Sequence, residues 1–400
     1  MKKLWKALTG IVLTASLLSG CGASAQTAAT TAAGTAGSME TSTGGSAEGM
    51  QTGDAQSGLR IAIVTSPSGV DDGSFNQDNY NGIQAFLKKH PDATATPVRE
   101  ESGDTAAAIQ AVADIVADYD VIVCCGFQFA GIGGIAVDNP DTKFILVDSY
   151  PADAEGNEVS CDNVYAMQFK EQESGFFAGV AAALESESKK VAVVNGIAYP
   201  SNVNYQYGFE SGVNYANAKY SAGAECVEIP SYAGTDVTNA NVGGNYIGSF
   251  SDEASGKVVG KALLDKGCDI LFVAAGGSGN GVFTAVKEAA NAKVIGCDVD
   301  QYDDGANGDA NIILTSVLKV MHSNVEKQLE AVAAGSFHGE NALLGADTDS
   351  TGYVSAEGRQ QLSPETLQKL EECYKKVQSG EIVPAANFNQ MTPDNFTGLK

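Results

Sequence analysis

The sequence predicts an α/β protein of two lobes, each with a doubly wound and mostly parallel sheet. Short, continuous β-branched runs alternate with amphipathic stretches from residue 59 onward. That alternation is typical of parallel strands covered by helices on both faces. The number of such strands in about 340 residues is better divided between two sheets than placed in one. A TIM barrel and a single long Rossmann sheet are the alternatives.

The strand candidates are apolar runs bounded by turn or helix signals. They are RIAIVT (60–65), DVIVCC (120–125), KFILVD (143–148), NVYAMQ (163–168), VAVVNG (191–196), YIGSF (246–250), DILFVA (269–274) and KVIGCD (293–298). Helices are expected between most of them, over 76–90, 105–118, 171–187, 202–218, 253–267, 279–292, 318–335 and 364–379. This order gives the repeated strand–helix units of a doubly wound fold.

The chain opens with a segment typical of a bacterial lipoprotein signal. A basic start precedes an apolar run over residues 8–18 that is too short to span a bilayer. LSGC (18–21) matches a lipobox, so we expect residues 1–20 to be removed and Cys21 to be diacylated. The protein would then be anchored by lipid to the extracytoplasmic face of the cell membrane. A plain signal peptide with an incidental cysteine is the alternative.

Residues 21–58 are expected to form a flexible tether between the anchor and the folded body. After Cys21 this stretch contains no aromatic residue and no Leu, Ile or Val. Such a composition buries too little apolar surface to offset the entropy of ordering the chain.

Charge excludes several classes of ligand. The net charge is −25 at pH 7, and removal of a signal that carries three lysines makes the mature chain more acidic still. A body this acidic repels nucleic acid and anionic lipid, and it argues against a phosphorylated ligand. We therefore expect no nucleic-acid partner.

Cysteine and histidine usage predicts neither a disulfide framework nor a metal site. Seven cysteines follow Cys21, an odd number without regular spacing and without a C-x-x-C pair, and the three histidines are scattered. No metal and no cofactor is expected.

Ligands of open α/β sheets bind beyond the carboxyl ends of the strands, so the loops after the strands are the place to look for a site. These loops contain aromatic rings beside carboxylates and amides. That combination suits a flat, hydroxylated ligand, because rings stack on it while its hydroxyls donate to carboxylates. The aromatic candidates are Phe75, Phe127, Tyr205 and Phe250, and the carboxylates and amides beside them are Asp72, Asn76, Asn280, Asp298 and Asp300. The alternative is a turn or helix-cap residue, which is the expected role of Ser74, Ser251 and Ser278.

Two polar segments are similar to motifs of proteins with other functions. AGGSGNG (275–281) lies where a dinucleotide-binding loop would lie, but Val282 replaces the third glycine of that motif. We expect instead a helix N-terminus, with Gly276 in its turn, whose N–H groups meet ligand oxygens. DVDQYDDG (298–305) does not fit an EF-hand. It is one residue short of the calcium motif of nucleoside hydrolases, and a hydrolase is kept as an alternative.

Six segments carry further motifs, in order along the chain. VDDGSFNQ (70–77), EQESGFFAG (171–179) and YQYGFESG (205–212) are similar to D-D-x-S-F-N, E-x-S-F-L-A-G and F-x-x-G-F-x-x-G. FVAAGGSGNGVF (272–283), VIGCDVDQ (294–301) and ILTSVLK (313–319) are similar to A-G-G-T-G-x-G-V-F, V-I-G-V-D-S-D-Q and a segment ending in a ligand-site lysine. Together, from about residue 60 to 390, they resemble the basic membrane protein family of lipoproteins, the nucleoside-binding subunits of ABC importers.

The resemblance implies the two-lobed type I fold of periplasmic binding proteins, with a ligand cleft between the lobes and no enzymatic activity. It implies that Phe75 stacks on the base and that Asn76 hydrogen-bonds beside it. Asp298 and Lys319 would hold the ribose hydroxyls, with Lys319 at the start of the helix predicted over 318–335. Phe250 is the candidate for the opposing aromatic ring.

Ser66 departs from the family pattern, because the family commonly has an aspartate there that faces the base. A serine does not carry that charge, so base recognition is expected to differ from the purine norm unless Asp71 or Asp72 compensates.

The resemblance also implies boundaries and partners. The first lobe would comprise 59–168 with a return segment near 320–338, and the second 169–319 with the C-terminal segment 339–400. The ligand would be a nucleoside, most simply a purine ribonucleoside, and the partners the permease subunits and cytoplasmic ATPase of an importer. The protein would be a monomer. A sensor or surface lipoprotein of the same fold is the alternative.

Overall fold

The computed structural model describes residues 58–387 and 389–400. The predicted signal, Cys21 and all but the last residue of the predicted tether therefore lie outside the described residues. Within the described part, no helix combines the length and the apolar character needed to cross a membrane.

The elements are as follows. The first part of the chain forms β1 (Arg60–Thr65), α1 (Phe75–Lys89), β2 (Thr94–Arg99), α2 (Thr105–Ile115), β3 (Val121–Cys125), α3 (Gly133–Asp138), β4 (Lys143–Val147) and β5 (Val164–Phe169). The middle forms α4 (Glu171–Glu185), β6 (Lys190–Asn195), α5 (Pro200–Tyr220), β7 (Glu225–Cys226), β8 (Gly234–Thr235), β9 (Asn241–Gly243), α6 (Glu253–Asp265), β10 (Ile270–Ala274), α7 (Gly279–Lys287), β11 (Lys293–Gly296), β12 (Ala306–Asn307), β13 (Ala310–Asn311) and β14 (Ile313–Lys319). The last part forms α8 (Met321–Ala333), β15 (Glu340–Leu344), β16 (Thr351–Tyr353) and α9 (Pro364–Gln378).

Two six-stranded sheets organise these elements. The first has the strand order β15-β5-β4-β3-β1-β2, and all its neighbouring strands are parallel. The second has the order β16-β14-β11-β10-β6-β7 and is parallel except at β16. The prediction of two doubly wound lobes is confirmed, and the barrel and the single sheet are excluded.

Each sheet is buried on both faces, as parallel sheets generally are. In β1, Ile61 and Ile63 face the apolar cluster that contains residues of α1 and α8. Ala62 and Val64 face the opposite cluster, which contains residues of α2. The continuous apolar run that predicted this strand thus reflects two cores, one on each face.

The chain crosses between the lobes after β5, after β14 and after β15. This arrangement corrects the predicted boundary at residue 339. Strand β15 belongs to the first sheet, where it pairs in parallel with β5, although the sequence analysis assigned 339–400 to the second lobe. Only the residues after β15 return to the second lobe.

Other predicted elements also differ from the structure. Residues 246–250 form no strand, only an isolated bridge between Asn195 and Tyr246, and Gly248 has a φ of 84° that interrupts extended backbone. Strand β2 was missed because it is a largely exposed edge strand containing a proline. Strand β14 runs to Lys319, so the helix predicted from 318 begins only at Met321.

Glycines let α4 and α5 pack closely in the second lobe. A Cβ on Gly179 of α4 would lie 2.0 Å from the carbonyl oxygen of Phe209, and one on Gly212 of α5 would lie 2.2 Å from that of Phe176. These contacts are between backbones, so no side chain can rotate away to make room. The E-x-S-F-L-A-G motif, whose final glycine is Gly179, therefore marks a helix–helix contact.

We predict that Gly179→Ala lowers the free energy of unfolding by about 3 kcal/mol, because the two helices must separate to admit a methyl group. Gly134→Ala is the matched control, since it is exposed on α3 and a Cβ there meets nothing within 4 Å. It should leave stability unchanged or raise it slightly. Chemical denaturation of both variants measures this, and equal stabilities would contradict the packing argument.

Candidate functional site

A cavity lies between the two sheets, at the carboxyl ends of their strands. It encloses about 570 Å³ of empty space, its opening included. The residues that line it are Ser66, Ser68, Asp72, Phe75, Asn76, Cys125, Gly126, Phe127, Gln128, Asp148, Tyr199, Ser201, Asn202, Tyr205, Phe250, Ala274, Gly276, Cys297, Asp298 and Lys319. The ten residues predicted as ligand-binding are in this set, whereas Asn280 and Asp300, which were also noted in the loops after the strands, are not. The structure brings them together, and their contacts with a ligand stay a prediction.

Lys319 is the buried cation of this site. It is the last residue of β14, and its side chain is 2% exposed. Its Nζ lies 3.0 Å from Oε1 of Glu171 and also contacts Oδ1 of Asp148. The ammonium lies 5.1 Å from the centroid of the Phe75 ring, a cation–π distance. Lys319 therefore connects a carboxylate of the first lobe with one of the second.

The carboxylates around Lys319 outnumber it. Burial alone would lower the pKa of Lys319, but the charges of Asp148, Glu171 and Asp298 outweigh burial, so its pKa is raised and it stays protonated. Burial raises the pKa of Asp148 to about 7, against the opposing effect of Lys319 and with reinforcement from Glu171. The cavity lining has three carboxylates, Asp72 included, and one cation.

Asp298 is held by hydroxyl groups of both lobes. The Tyr205 hydroxyl donates to Oδ1 at 2.8 Å, and the Ser74 hydroxyl donates to Oδ2 at 2.9 Å. Its backbone has a φ of 69°, which is an uncommon conformation for a non-glycine residue. The backbone N–H of Lys319 donates to the carbonyl of Asp298 at 2.9 Å, so the two residues assigned to the sugar are also linked to each other.

Asp72 caps helix α1. Its Oδ1 accepts from the backbone N–H groups of Ser74 and Gln77, and its Oδ2 accepts from that of Asn76, each at 3.0 Å. Burial nevertheless raises its pKa, with these N–H groups opposing the shift. Asp71 is exposed and does not line the cavity. Neither carboxylate is thus free to replace the aspartate that the family commonly has at position 66.

Ser66 and Asn76 form a neutral polar edge. The Asn76 amide donates to the Ser66 hydroxyl oxygen at 3.0 Å. Oδ1 of Asn76 is buried and has no hydrogen-bond partner among the described residues. A buried acceptor of this kind costs free energy unless something donates to it.

The aromatic residues lie in two groups. Phe75 adjoins Lys319, as described above. Phe127 of the first lobe lies 5.3 Å from Tyr199 of the second, and Tyr199 lies 6.0 Å from Phe250, measured between ring centroids. The Phe250 ring occupies the space where a Cβ on Gly196 would be, at 2.3 Å. Tyr199 is the N-cap residue of α5, in the loop after β6. The sequence analysis did not select it, because it belongs to none of the six motifs.

Gly276 begins a short 3-10 turn before α7, with a φ of 51°. The N–H of Ser278 in that turn already donates to the carbonyl of Phe250 at 2.9 Å. The turn therefore supports the loop that carries Phe250. Contact between the remaining N–H groups of the turn and a ligand stays a prediction.

The carboxylates of the acidic segment 298–305 do not gather around a common point. Arg359 donates to Asp300 at 2.7 Å and to Asp303 at 2.8 Å, whereas Asp298 lines the cavity. Across the described ranges, no group of three or more His, Cys, Asp or Glu side chains is placed to hold a metal ion. The geometry gives no calcium site of the hydrolase kind in this segment.

Three other functional candidates were missed at the sequence level. Asp148 ends the predicted strand 143–148, so the rule applied to the other strand ends would have found it. Glu171 opens the EQESGFFAG motif but was treated only as part of that motif. Ser68 lines the cavity beside Ser66, and nothing in its local sequence separates it from an ordinary turn residue.

We predict that Asp148→Asn changes how stability depends on pH. The carboxyl has a pKa near 4 when unfolded and about 7 when folded. The stabilisation from its bound proton is thus fully present below pH 4 and is lost as pH rises through 7. The melting temperature of the parent, relative to the variant, should fall by on the order of 5 °C between pH 4.5 and 8.

Scanning calorimetry across that range measures the difference. Asp162→Asn is the control for the loss of a carboxylate, since Asp162 is exposed and lies away from the cavity lining. A difference between Asp148→Asn and the parent that stays constant with pH would contradict the assignment of a raised pKa.

Comparison with known proteins agrees with the predicted family. The chain is 30% identical over 341 residues to the CD4+ T-cell-stimulating antigen of Listeria monocytogenes, covering 80% of this chain and 87% of that protein. It is 30% identical over 309 residues to the ABC transporter nucleoside-binding protein BmpA of Lactococcus lactis subsp. cremoris, covering 72% and 79%. An ABC transporter solute-binding protein from Aeropyrum pernix K1 has the same fold, with a TM-score of 0.68 at 23% identity over 83% of this chain and 94% of that one.

The family match covers most of the two lobes. Residues 60–228 and 233–387 match the family described as Bmp, ABC transporter substrate-binding protein PnrA-like. The resemblance inferred from six short motifs is confirmed, and with it the type I fold of periplasmic binding proteins. This chain belongs to the Bmp family of ABC transporter substrate-binding proteins.

Proposed function

We propose that this protein captures purine ribonucleosides outside the cytoplasm and delivers them to an ABC importer. The observation that carries the proposal is the cavity between the lobes, where Phe75, Asp298 and the buried Lys319 adjoin. An aromatic face stacks on a flat base, while a carboxylate accepts from the hydroxyls of a sugar and an ammonium donates to them. The name of the Lactococcus relative, a nucleoside-binding protein, supports the same ligand class.

The charge of the cavity favours a neutral ligand that donates hydrogen bonds. One ammonium faces three carboxylates in the lining, and its own Nζ is already engaged by Asp148 and Glu171. Carboxylates accept but do not donate when ionised. A phosphate would therefore meet repulsion from these groups, since the positive charge of Lys319 is already balanced by Asp148 and Glu171, whereas ribose hydroxyls donate to the carboxylates.

The edge formed by Ser66 and Asn76 would read the base. The free Oδ1 of Asn76 accepts a hydrogen bond, and the Ser66 hydroxyl, which accepts from Asn76, retains its own hydrogen to donate. A base that presents a donor next to an acceptor matches this pair. An aspartate at position 66 would offer acceptors only.

Anchoring and partners follow from the chain's N-terminus and its family. The lipobox at Cys21 supports attachment by lipid to the extracytoplasmic face of the membrane. Membership of a family of ABC transporter substrate-binding proteins supports permease subunits and a cytoplasmic ATPase as partners. We propose that the protein acts as a monomer and is not an enzyme.

We predict that ligand-stripped protein binds adenosine more tightly than 2′-deoxyadenosine by ten- to hundredfold, because the deoxynucleoside lacks a hydroxyl that would donate to a buried carboxylate, and a hydrogen bond to a charged group contributes about 1.5–3 kcal/mol. Adenine, free ribose and adenosine monophosphate should bind more weakly still. Phe75→Ala should weaken adenosine binding by about tenfold or more, since stacking on one base contributes about 1–3 kcal/mol.

Calorimetry on this panel decides the assignment. Phe337→Ala is the matched control for Phe75→Ala, because Phe337 packs against the core of the same lobe but does not line the cavity. Equal affinity for adenosine and 2′-deoxyadenosine, or tight binding of free ribose alone, would overturn the proposed function.

A separate prediction concerns the base. Ser66→Asp should shift preference toward guanosine and inosine over adenosine by about tenfold, because N1 carries a hydrogen in the first two and only accepts in adenosine. Asp298→Ala should weaken all three alike, since it acts on the sugar. The ratio of the three dissociation constants is the measurement, and an unchanged ratio in Ser66→Asp would remove position 66 from base recognition.

A further inference from the structure

Ser74 occupies the N-cap position of α1, but its hydroxyl does not cap the helix. The capping acceptors come from Asp72, whose carboxylate receives three backbone N–H groups. An N-cap serine normally uses its oxygen for one of those N–H groups. Ser74 thus has the N-cap position that was expected of it, but its hydroxyl makes no capping bond and is available for another partner.

That partner lies in the other lobe. The Ser74 hydroxyl donates to Oδ2 of Asp298 at 2.9 Å, across 224 residues of sequence. Ser74 is 4% exposed and Asp298 is 9% exposed, so water does not compete freely for this bond. Ser74 belongs to the first lobe and Asp298 follows β11 of the second, so the bond joins the lobes and would be lost if they moved apart.

Asp298 keeps a second partner within its own lobe. The Tyr205 hydroxyl donates to Oδ1 at 2.8 Å, a contact that does not depend on the other lobe. The two hydroxyls flank the carboxylate and fix its rotation. An ionised carboxylate has about four lone-pair sites, so acceptor capacity remains for the hydroxyls of a ligand.

We propose that Ser74 is a positioning residue that couples closure of the lobes to recognition of the sugar. On closure its hydroxyl orients Asp298 toward the ligand's hydroxyls, so the carboxylate reads the sugar fully only in the closed form. This inference rests on the proposed nucleoside-binding function. It assigns discrimination between ribose and deoxyribose to a residue of the opposite lobe.

Ser68 provides a matched comparison. Its hydroxyl also crosses between the lobes, but it donates to the backbone carbonyl of Phe250 at 2.9 Å. Ser68 thus stabilises closure without touching Asp298. Removing either hydroxyl should favour opening, and only the Ser74 hydroxyl should affect how the sugar is read.

The experiment compares Ser74→Ala and Ser68→Ala with the parent by stopped-flow binding of adenosine and 2′-deoxyadenosine. Both variants should release adenosine about three- to tenfold faster, the effect of losing one hydrogen bond. In Ser74→Ala the affinity ratio of adenosine to 2′-deoxyadenosine should fall at least threefold, and in Ser68→Ala it should equal that of the parent. Thermal unfolding of each variant checks that it is folded, and Ser74→Thr, which keeps the hydroxyl, should restore the ratio.

The outcomes separate the two proposals. A parent protein that binds no nucleoside would overturn the proposed function and this inference with it. A parent that discriminates between the two nucleosides, with Ser74→Ala retaining the parental ratio, would overturn the role of Ser74 and leave the proposed function intact. An equal fall of the ratio in Ser68→Ala would overturn it too, because loss of closure alone would then explain both variants.

Discussion

The buried ion cluster of Lys319, Asp148 and Glu171 is the constraint on which the site depends. A buried ammonium is tolerated only when it is paired and hydrogen-bonded. Its partners come from the end of β4 in one lobe and the start of α4 in the other, so the pairing requires three separate segments to meet where the chain crosses between lobes. The same convergence places Phe75 beside the ammonium and Asp298 next to β14.

Much of the fold and of the site could be predicted because the relevant signals are local. A strand buried on both faces appears in the sequence as a continuous apolar run, and a βα unit fixes which end of it faces the ligand. Phe127 and Asp298 were found on this basis alone, since each directly follows such a run. Lys319 came from the family resemblance, and its position at the end of a strand instead of a helix emerged only from the structure.

What escaped prediction depends on pairing between distant segments. Whether the strand at 340–344 joins the first or the second sheet is decided by its contact with β5, and its own residues favour neither. The partners of Lys319 are likewise set by tertiary contacts, because an aspartate after a strand and a glutamate at a helix start are ordinary in isolation. Strand β2 has an exposed face and a proline, so the apolar-run criterion does not apply to an edge strand of this kind.

Residues 66–77 form a loop and the beginning of helix α1. They combine three tasks, which are capping of the helix, contact with the other lobe and lining of the cavity. Because Asp72 caps α1, Ser74 is released to reach the other lobe, while Phe75 and Asn76 line the cavity. A ligand that satisfies Asn76 and Asp298 must contact both lobes, and the bond from Ser74 to Asp298 requires the same approach of the lobes. In this proposal closure and sugar recognition share the bond from Ser74 to Asp298, so a substitution of Ser74 changes affinity and selectivity together. Substitutions of Ser66 and Ser68 should separate the two effects, because Ser66 contacts Asn76 within its own lobe and Ser68 donates only to the backbone carbonyl of Phe250.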